Sequence, residues 1–88
     1  MKIRDGFELI KRDGQNLIVY TKDDMVFNDA ITLNETMAFL WKCIKNGCTT
    51  KERLLDLLLN KYDISTVLAL NDIDIFVKTL NQNGILDE

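Results

Sequence analysis

The spacing of apolar residues changes period at Leu33, and that change limits the chain to one class of architecture. Ahead of it the pattern is that of strands. Phe7 and Leu9 alternate with Glu8, and Ile10 follows before Lys11. Leu17-Ile18-Val19-Tyr20 is rich in β-branched and aromatic residues, which suit a pleated, half-buried surface. Between the two runs, Asp13-Gly14 carries the turn chemistry of a tight hairpin. Lys22-Asp23-Asp24 makes a second polar turn, and Met25-Val26-Phe27 with Ala30-Ile31-Thr32 forms a third extended segment. Asn28-Asp29 inside that segment are poor strand formers and predict a bulge or kink.

Beyond Leu33 the spacing is helical. Asn34 is a good N-cap, and Glu35 in the first turn complements the helix dipole. Leu33, Met37, Leu40, Trp41 and Ile44 share a face, and Gly47 ends the helix. Thr49 is expected to open a second helix, with Glu52 completing a capping box. Its leucines, Leu54, Leu55, Leu57, Leu58 and Leu59, cover more than one face, as in a helix sandwiched between other elements. Tyr62-Asp63-Ile64-Ser65 is a connection. A third helix from about Thr66 to Gln82 places Ala69, Ile73, Phe76, Val77 and Leu80 on its core face. Gly84 stops it, and Ile85-Leu86 folds back as a hydrophobic seal. Three strands followed by three helices predict an α+β, winged helix-turn-helix-like domain with a three-stranded antiparallel sheet.

The 88 residues are expected to form a single domain, 1–88, without linker, repeat or proline. No apolar stretch approaches the roughly 20 residues of a membrane span, and no apolar block follows the first basic residues as in a secretory signal. A cytoplasmic protein with no membrane association is the expectation. Cys43 and Cys48 fit that compartment as free thiols. With no histidine, two thiolates cannot complete a tetrahedral zinc site, and no base suited to neutral pH is available. There is also no Gly-rich phosphate loop and no nucleophile motif. The expectation is therefore no enzyme, no metal and no cofactor.

Two surface features stand out. Leu68, Asp72, Ile75 and Thr79 fall on one strip of the third helix, beside its core face but distinct from it. Leu68 and Ile75 there are either lining for a groove or packed on the second helix or a loop. Asp72 and Asp74, with Lys78 alone to offset them on the helix, suit either a basic partner residue or a solvated face. Trp41 reads as core, while Tyr20 and Phe27 fit either core or a binding platform. Winged helices often bind DNA, which needs several lysines or arginines near phosphates. Lys42, Lys45, Lys51 and Arg53 do cluster, but Glu35, Glu52 and Asp56 interleave with them, and residues 65–88 are acidic. No nucleic-acid partner is expected. A winged-helix adaptor or DNA-binding module is one reading open to a domain of this fold.

Several landmarks fall together in order and spacing. Leu33-Asn34-Glu35-Thr36 enters the first helix, followed by Ala38, Leu40-Trp41 and Gly47. Thr50, Glu52 and Leu54 come next, then Tyr62-Asp63, Asp72-Ile73, Phe76, Leu80 and Gly84-Ile85-Leu86. In this the chain resembles the PqqD family of peptide chaperones, the RiPP recognition elements of natural product biosynthesis, over nearly its whole length. The resemblance implies that the chain binds the leader segment of a ribosomally made precursor peptide and presents it to a modifying enzyme, such as a radical-SAM protein, a cyclase or a peptidase. It further implies that the leader adds as a strand to the edge of the third strand and lies against the third helix. An exposed strand edge offers unpaired N–H and C=O groups to such a segment. The residues this assigns to the peptide site are Met25, Val26, Phe27, Asn28, Ala30 and Ile31 on the strand. On the helix they are Leu68, Asp72, Ile75, Phe76 and Thr79.

Overall fold

The computed structural model describes residues 1–21, 31–48 and 50–87. In chain order its elements are β1 (Lys2–Ile3), β2 (Phe7–Arg12), β3 (Gln15–Tyr20), β4 (Ile31–Leu33), α1 (Glu35–Lys45), α2 (Lys51–Lys61), α3 (Thr66–Gln82) and β5 (Leu86–Asp87). Strands β2, β3 and β4 form the expected three-stranded antiparallel sheet in that order, and Leu33, which the spacing assigns to the face of the first helix, is instead the last residue of β4.

The hairpin between β2 and β3 is as tight as a hairpin can be. Arg12 pairs with Gln15, so Asp13 and Gly14 alone make the turn. Their φ angles of 53° and 78° are both left-handed, as the turn type matched to strand twist requires. Across the sheet Leu9 faces Ile18 and Ile18 faces Ile31. This row belongs to the inner face, where Ile18 is fully buried and Leu9 and Ile31 pack against the core. Phe7 and Tyr20 share that face with ring centroids 4.9 Å apart, so Tyr20 serves packing.

Each helix begins at a side-chain cap that satisfies one of its orphan amides. Asn34 Oδ1 accepts from the Met37 amide at 2.8 Å, and Ser65 Oγ accepts from the Leu68 amide at 3.2 Å. The cap of α2 is one residue later than the sequence pattern suggests. Thr50 Oγ1 accepts from the Arg53 amide at 3.2 Å, so Glu52 falls one residue short of the capping-box position, and the box expected from Thr49 and Glu52 is replaced by a simple threonine cap. Helices α1 and α3 end alike. The amides of Gly47 and Cys48 donate to the carbonyls of Ile44 and Cys43, and those of Gly84 and Ile85 to the carbonyls of Asn81 and Leu80. This paired pattern is the Schellman motif, and in α3 it turns Ile85 back into the core.

All five residues predicted for the core face of α3 are buried, with Ala69, Phe76 and Leu80 at 0% exposure. Trp41 is buried with Leu40 and Ile44, and Leu54 and Leu58 of α2 join the same cluster. Leu55, Leu57 and Leu59 pack against it half-exposed, which accounts for the leucine-rich character of α2. One pairing has no counterpart in the apolar pattern. The chain ends meet, with β1 antiparallel to β5 through Lys2–Asp87 and Ile3–Leu86, and the Arg4 amide donating to the Ile85 carbonyl at 2.8 Å.

Two substitutions separate the forces involved. Phe76→Ala removes a fully buried ring and is expected to cost about 3–5 kcal/mol in urea unfolding. Gly84→Ala places a Cβ in open space at φ 66°, so it is expected to cost only the left-handed penalty of about 1–2 kcal/mol. A larger loss at Gly84 would show that the α3 terminus tolerates no side chain.

Candidate functional site

The sequence-assigned site has a strand half and a helix half, and the structure treats them differently. Met25, Val26, Phe27, Asn28 and Ala30, the Lys22-Asp23-Asp24 turn and the bulge expected at Asn28-Asp29 lie outside the described residues. Of the strand half, Ile31 is described. It pairs with Ile18 and packs half-buried against the core.

The register of the sheet shows which backbone groups of β4 are available. The Thr21 amide donates to the Gly6 carbonyl at 2.7 Å, and Arg12 pairs with Gln15 across the tight turn. Hydrogen-bonded pairs alternate along an antiparallel ladder, so Leu17 and Val19 bond toward β2 and Asn16 and Ile18 toward β4. Ile31 and Leu33 then bond back to β3, and Thr32 turns its N–H and C=O away from the sheet. Thr32 is exposed, and no strand pairs with β4 on that side among the described residues. Thr32 lies within the extended segment expected to form the edge, but which of its residues turns backbone groups outward is a property of register, not of residue type.

The helix half is placed in full. Leu68 and Ile75 are 57% and 46% exposed, so the strip does not pack on α2. Asp72 and Thr79 sit between them and the core face, half-buried, with Thr79 Oγ1 donating to the Ile75 carbonyl at 2.8 Å. Phe76 is different. At 0% exposure it is a core side chain that supports the strip from beneath and offers no surface of its own. Two further apolar side chains, Val67 at 77% and Leu70 at 43% exposure, add to the exposed apolar surface of the N-terminal half of α3. They escape a periodicity search because they fall off both the core face and the predicted strip.

The electrostatics of α3 are also more specific than its composition. Asp74 meets Lys51 of α2 at 3.4 Å, across an exposed contact worth well under 1 kcal/mol. Asp74 lies about 100° round the helix from Ile75, so α2 flanks the side away from the strip. Asp72 has no such ion pair among the described residues and stays beside Leu68 and Ile75. The lysines gather elsewhere. Lys11, Lys42 and Lys61 line one cleft with Glu35 and Tyr62, and Lys42 and Lys45 line another with Trp41, whose ring lies 5.9 Å from the Lys45 ammonium. Neither cleft includes a residue of α3 or β4.

A cleft of about 600 Å³ lies at the junction of α1 and α2. Both cysteines line it as free thiols, with Phe39, Arg53 and Leu57. Burial raises the Cys43 thiol above its usual range, and the neighbouring Cys48 adds to that. Among the described residues no three potential metal ligands converge, and no helix is long and apolar enough to cross a membrane.

A small antiparallel sheet followed by three capped helices, with an edge at β4 that no described strand pairs and an exposed apolar strip on α3, defines a winged-helix-like α+β protein. The family described as Coenzyme PQQ synthesis protein D (PqqD) matches residues 16–86, and the chain belongs to that family. Two solved structures share the fold. "TbiB1 in complex with the TbiA(beta) leader peptide" superposes with a TM-score of 0.75 at 17% identity, covering 99% of this chain and 95% of that one. "Lasso peptide synthetase B1 complexed with the leader peptide" superposes with a TM-score of 0.72 at 19% identity, covering 96% and 93%. No curated protein matches the chain.

The thiols supply a direct check on the α1–α2 junction. The thiolate is the reactive form, and Cys43 is both buried and raised. In the folded protein at pH 8, iodoacetamide is expected to modify Cys48 faster than Cys43 by roughly tenfold or more, read by mass spectrometry. Equal rates would mean that the junction opens readily.

Proposed function

We propose that the chain, as one unit over residues 1–88, binds the leader segment of a ribosomally made precursor peptide. In this reading the leader adds as a strand to the free edge of β4 and lays its side chains along the Leu68–Ile75 strip of α3. The observation that carries it is that strip: two large apolar side chains left exposed beside a fully buried core face, in a member of the PqqD family. The leader-peptide complexes of the two solved relatives support it. Backbone bonding at Thr32 would supply sequence-tolerant affinity, and the strip would supply selectivity through every second leader side chain. Asp72 would favour a basic leader residue beside an apolar one.

Nothing in this reading calls for chemistry by the chain itself. Its role is to hold the peptide for a modifying enzyme, of which a radical-SAM protein, a cyclase or a peptidase are the classes proposed. The setting is cytoplasmic. A duplex-binding role finds no support on α3, whose charged residues are Asp72, Asp74 and Lys78.

The test is a titration of the isotopically labelled chain with a synthetic leader encoded beside its gene. Saturable shifts are expected at Ile31–Leu33 and along Leu68–Thr79. Leu68→Asp or Ile75→Asp is expected to weaken binding about tenfold or more, near 1.4 kcal/mol, while the unfolding midpoint stays close to that of the parent. Loss of folding in either variant would assign the strip to the core. A leader with proline in its docked segment is expected to bind more weakly, because proline removes a ladder donor. Unchanged affinity with proline at every position in turn would exclude strand addition.

A further inference from the structure

The second edge of the sheet has its own logic. Among the described residues no strand pairs with β2 on the side away from β3. Arg12 and Gln15 form a hydrogen-bonded pair, so Ile10 and Glu8 also bond toward β3, and Leu9 and Lys11 direct their N–H and C=O outward. Side-chain alternation places Glu8, Ile10 and Arg12 on the outer face, with Leu17 and Val19 of β3 beside them. Glu8 and Arg12 are exposed. Ile10, Leu17 and Val19 are half-exposed and stand outside the core cluster. The outer face thus carries an apolar trio with an acid at one end of the edge strand and a base at the other.

We propose that β2 pairs antiparallel with β2 of a second copy of the chain, about a two-fold axis at Ile10, to make one continuous six-stranded sheet. The register follows from the residues. Centred on Leu9, the pairing sets Glu8 opposite Ile10 and leaves Arg12 without a partner. Centred on Lys11, it stacks Lys11 on Lys11. Centred on Ile10, it sets Glu8 opposite Arg12 twice, Ile10 opposite Ile10, and the outward groups of Leu9 opposite those of Lys11 in the second copy. Leu9 and Lys11 then exchange hydrogen bonds. The Glu8–Arg12 and Ile10–Ile10 pairs fall at the non-hydrogen-bonded positions, where Cα atoms come within about 4.5 Å and side chains interact most closely. An isologous contact of this kind closes on itself and stops at two copies. It brings the two apolar trios together on one face. The seam uses no residue of β4 or α3, so leader binding and self-association can be lost independently.

Sedimentation of the intact chain over micromolar to millimolar concentration is the test. The mass is expected to rise from 10.2 kDa toward twice that value. Glu8→Arg alone and Arg12→Glu alone, each replacing two attractive pairs by two repulsive ones, are expected to weaken association about tenfold or more. An equimolar mixture of the two variants is expected to restore it. In a pair made of one copy of each, both facing positions again set a guanidinium against a carboxylate. A chain that stays at 10.2 kDa throughout, variants that associate like the parent, or a mixture that fails to recover would each overturn the proposal. Should either variant unfold, a mixed-label sample of the parent decides the matter. A filtered Overhauser contact between Ile10 methyls of two copies is expected, and its absence from an associated sample excludes this seam.

Discussion

The burial of one face of α3 fixes the geometry on which everything else rests. Ala69, Ile73, Phe76, Val77 and Leu80 are held in a common core with Leu40, Trp41, Ile44, Leu54 and Leu58. A helix with five inward residues at core density cannot rotate without opening cavities. Its rotation therefore also fixes which residues look outward, and Leu68 and Ile75 are exposed by the same packing that buries Phe76. The cap at Ser65 and the Schellman turn at Gly84 set where the helix starts and stops, so the strip has a defined length as well as a defined direction. Exposed strip and core are two faces of one constraint.

Much of this was legible in the sequence because local rules and tertiary packing agree. The two-residue hairpin followed from Asp13-Gly14, a pair suited to left-handed φ, and the α3 core face followed from spacing alone. The misses share a cause. The cap of α2 lies at Thr50 because two adjacent threonines are chemically alike, and only the path of the chain selects between them. The β1–β5 pairing joins residues at opposite ends of the chain through strands too short to leave a pattern. Phe76 belongs by spacing to the core face and by the family resemblance to the peptide site, and spacing cannot tell a residue that lines a surface from one that lies beneath it. The outward groups of Thr32 became visible only once the register was known.

The sheet presents two edges of different character. At β4 the outward-facing residue described is a threonine, flanked by side chains that turn inward, so a docking strand meets backbone first. At β2 the edge is patterned with charge, acid at one end and base at the other, so only a strand of matching pattern fits. A bare edge risks indiscriminate pairing. Asymmetry of this kind would let one small sheet accept a variable peptide on one side while restricting what it meets on the other.

The meeting of the chain ends at β1 and β5 has a consequence for how such a unit is tethered. Because Lys2 lies opposite Asp87, a flexible connection made at either end leaves from the same corner. Fused in either order to a larger protein, the unit would sweep nearly the same volume around its anchor, and the effective concentration of a captured peptide would depend on linker length more than on gene order. The same closeness makes a circularly permuted chain feasible, with the original ends bridged by a few residues and new ends opened in a surface turn.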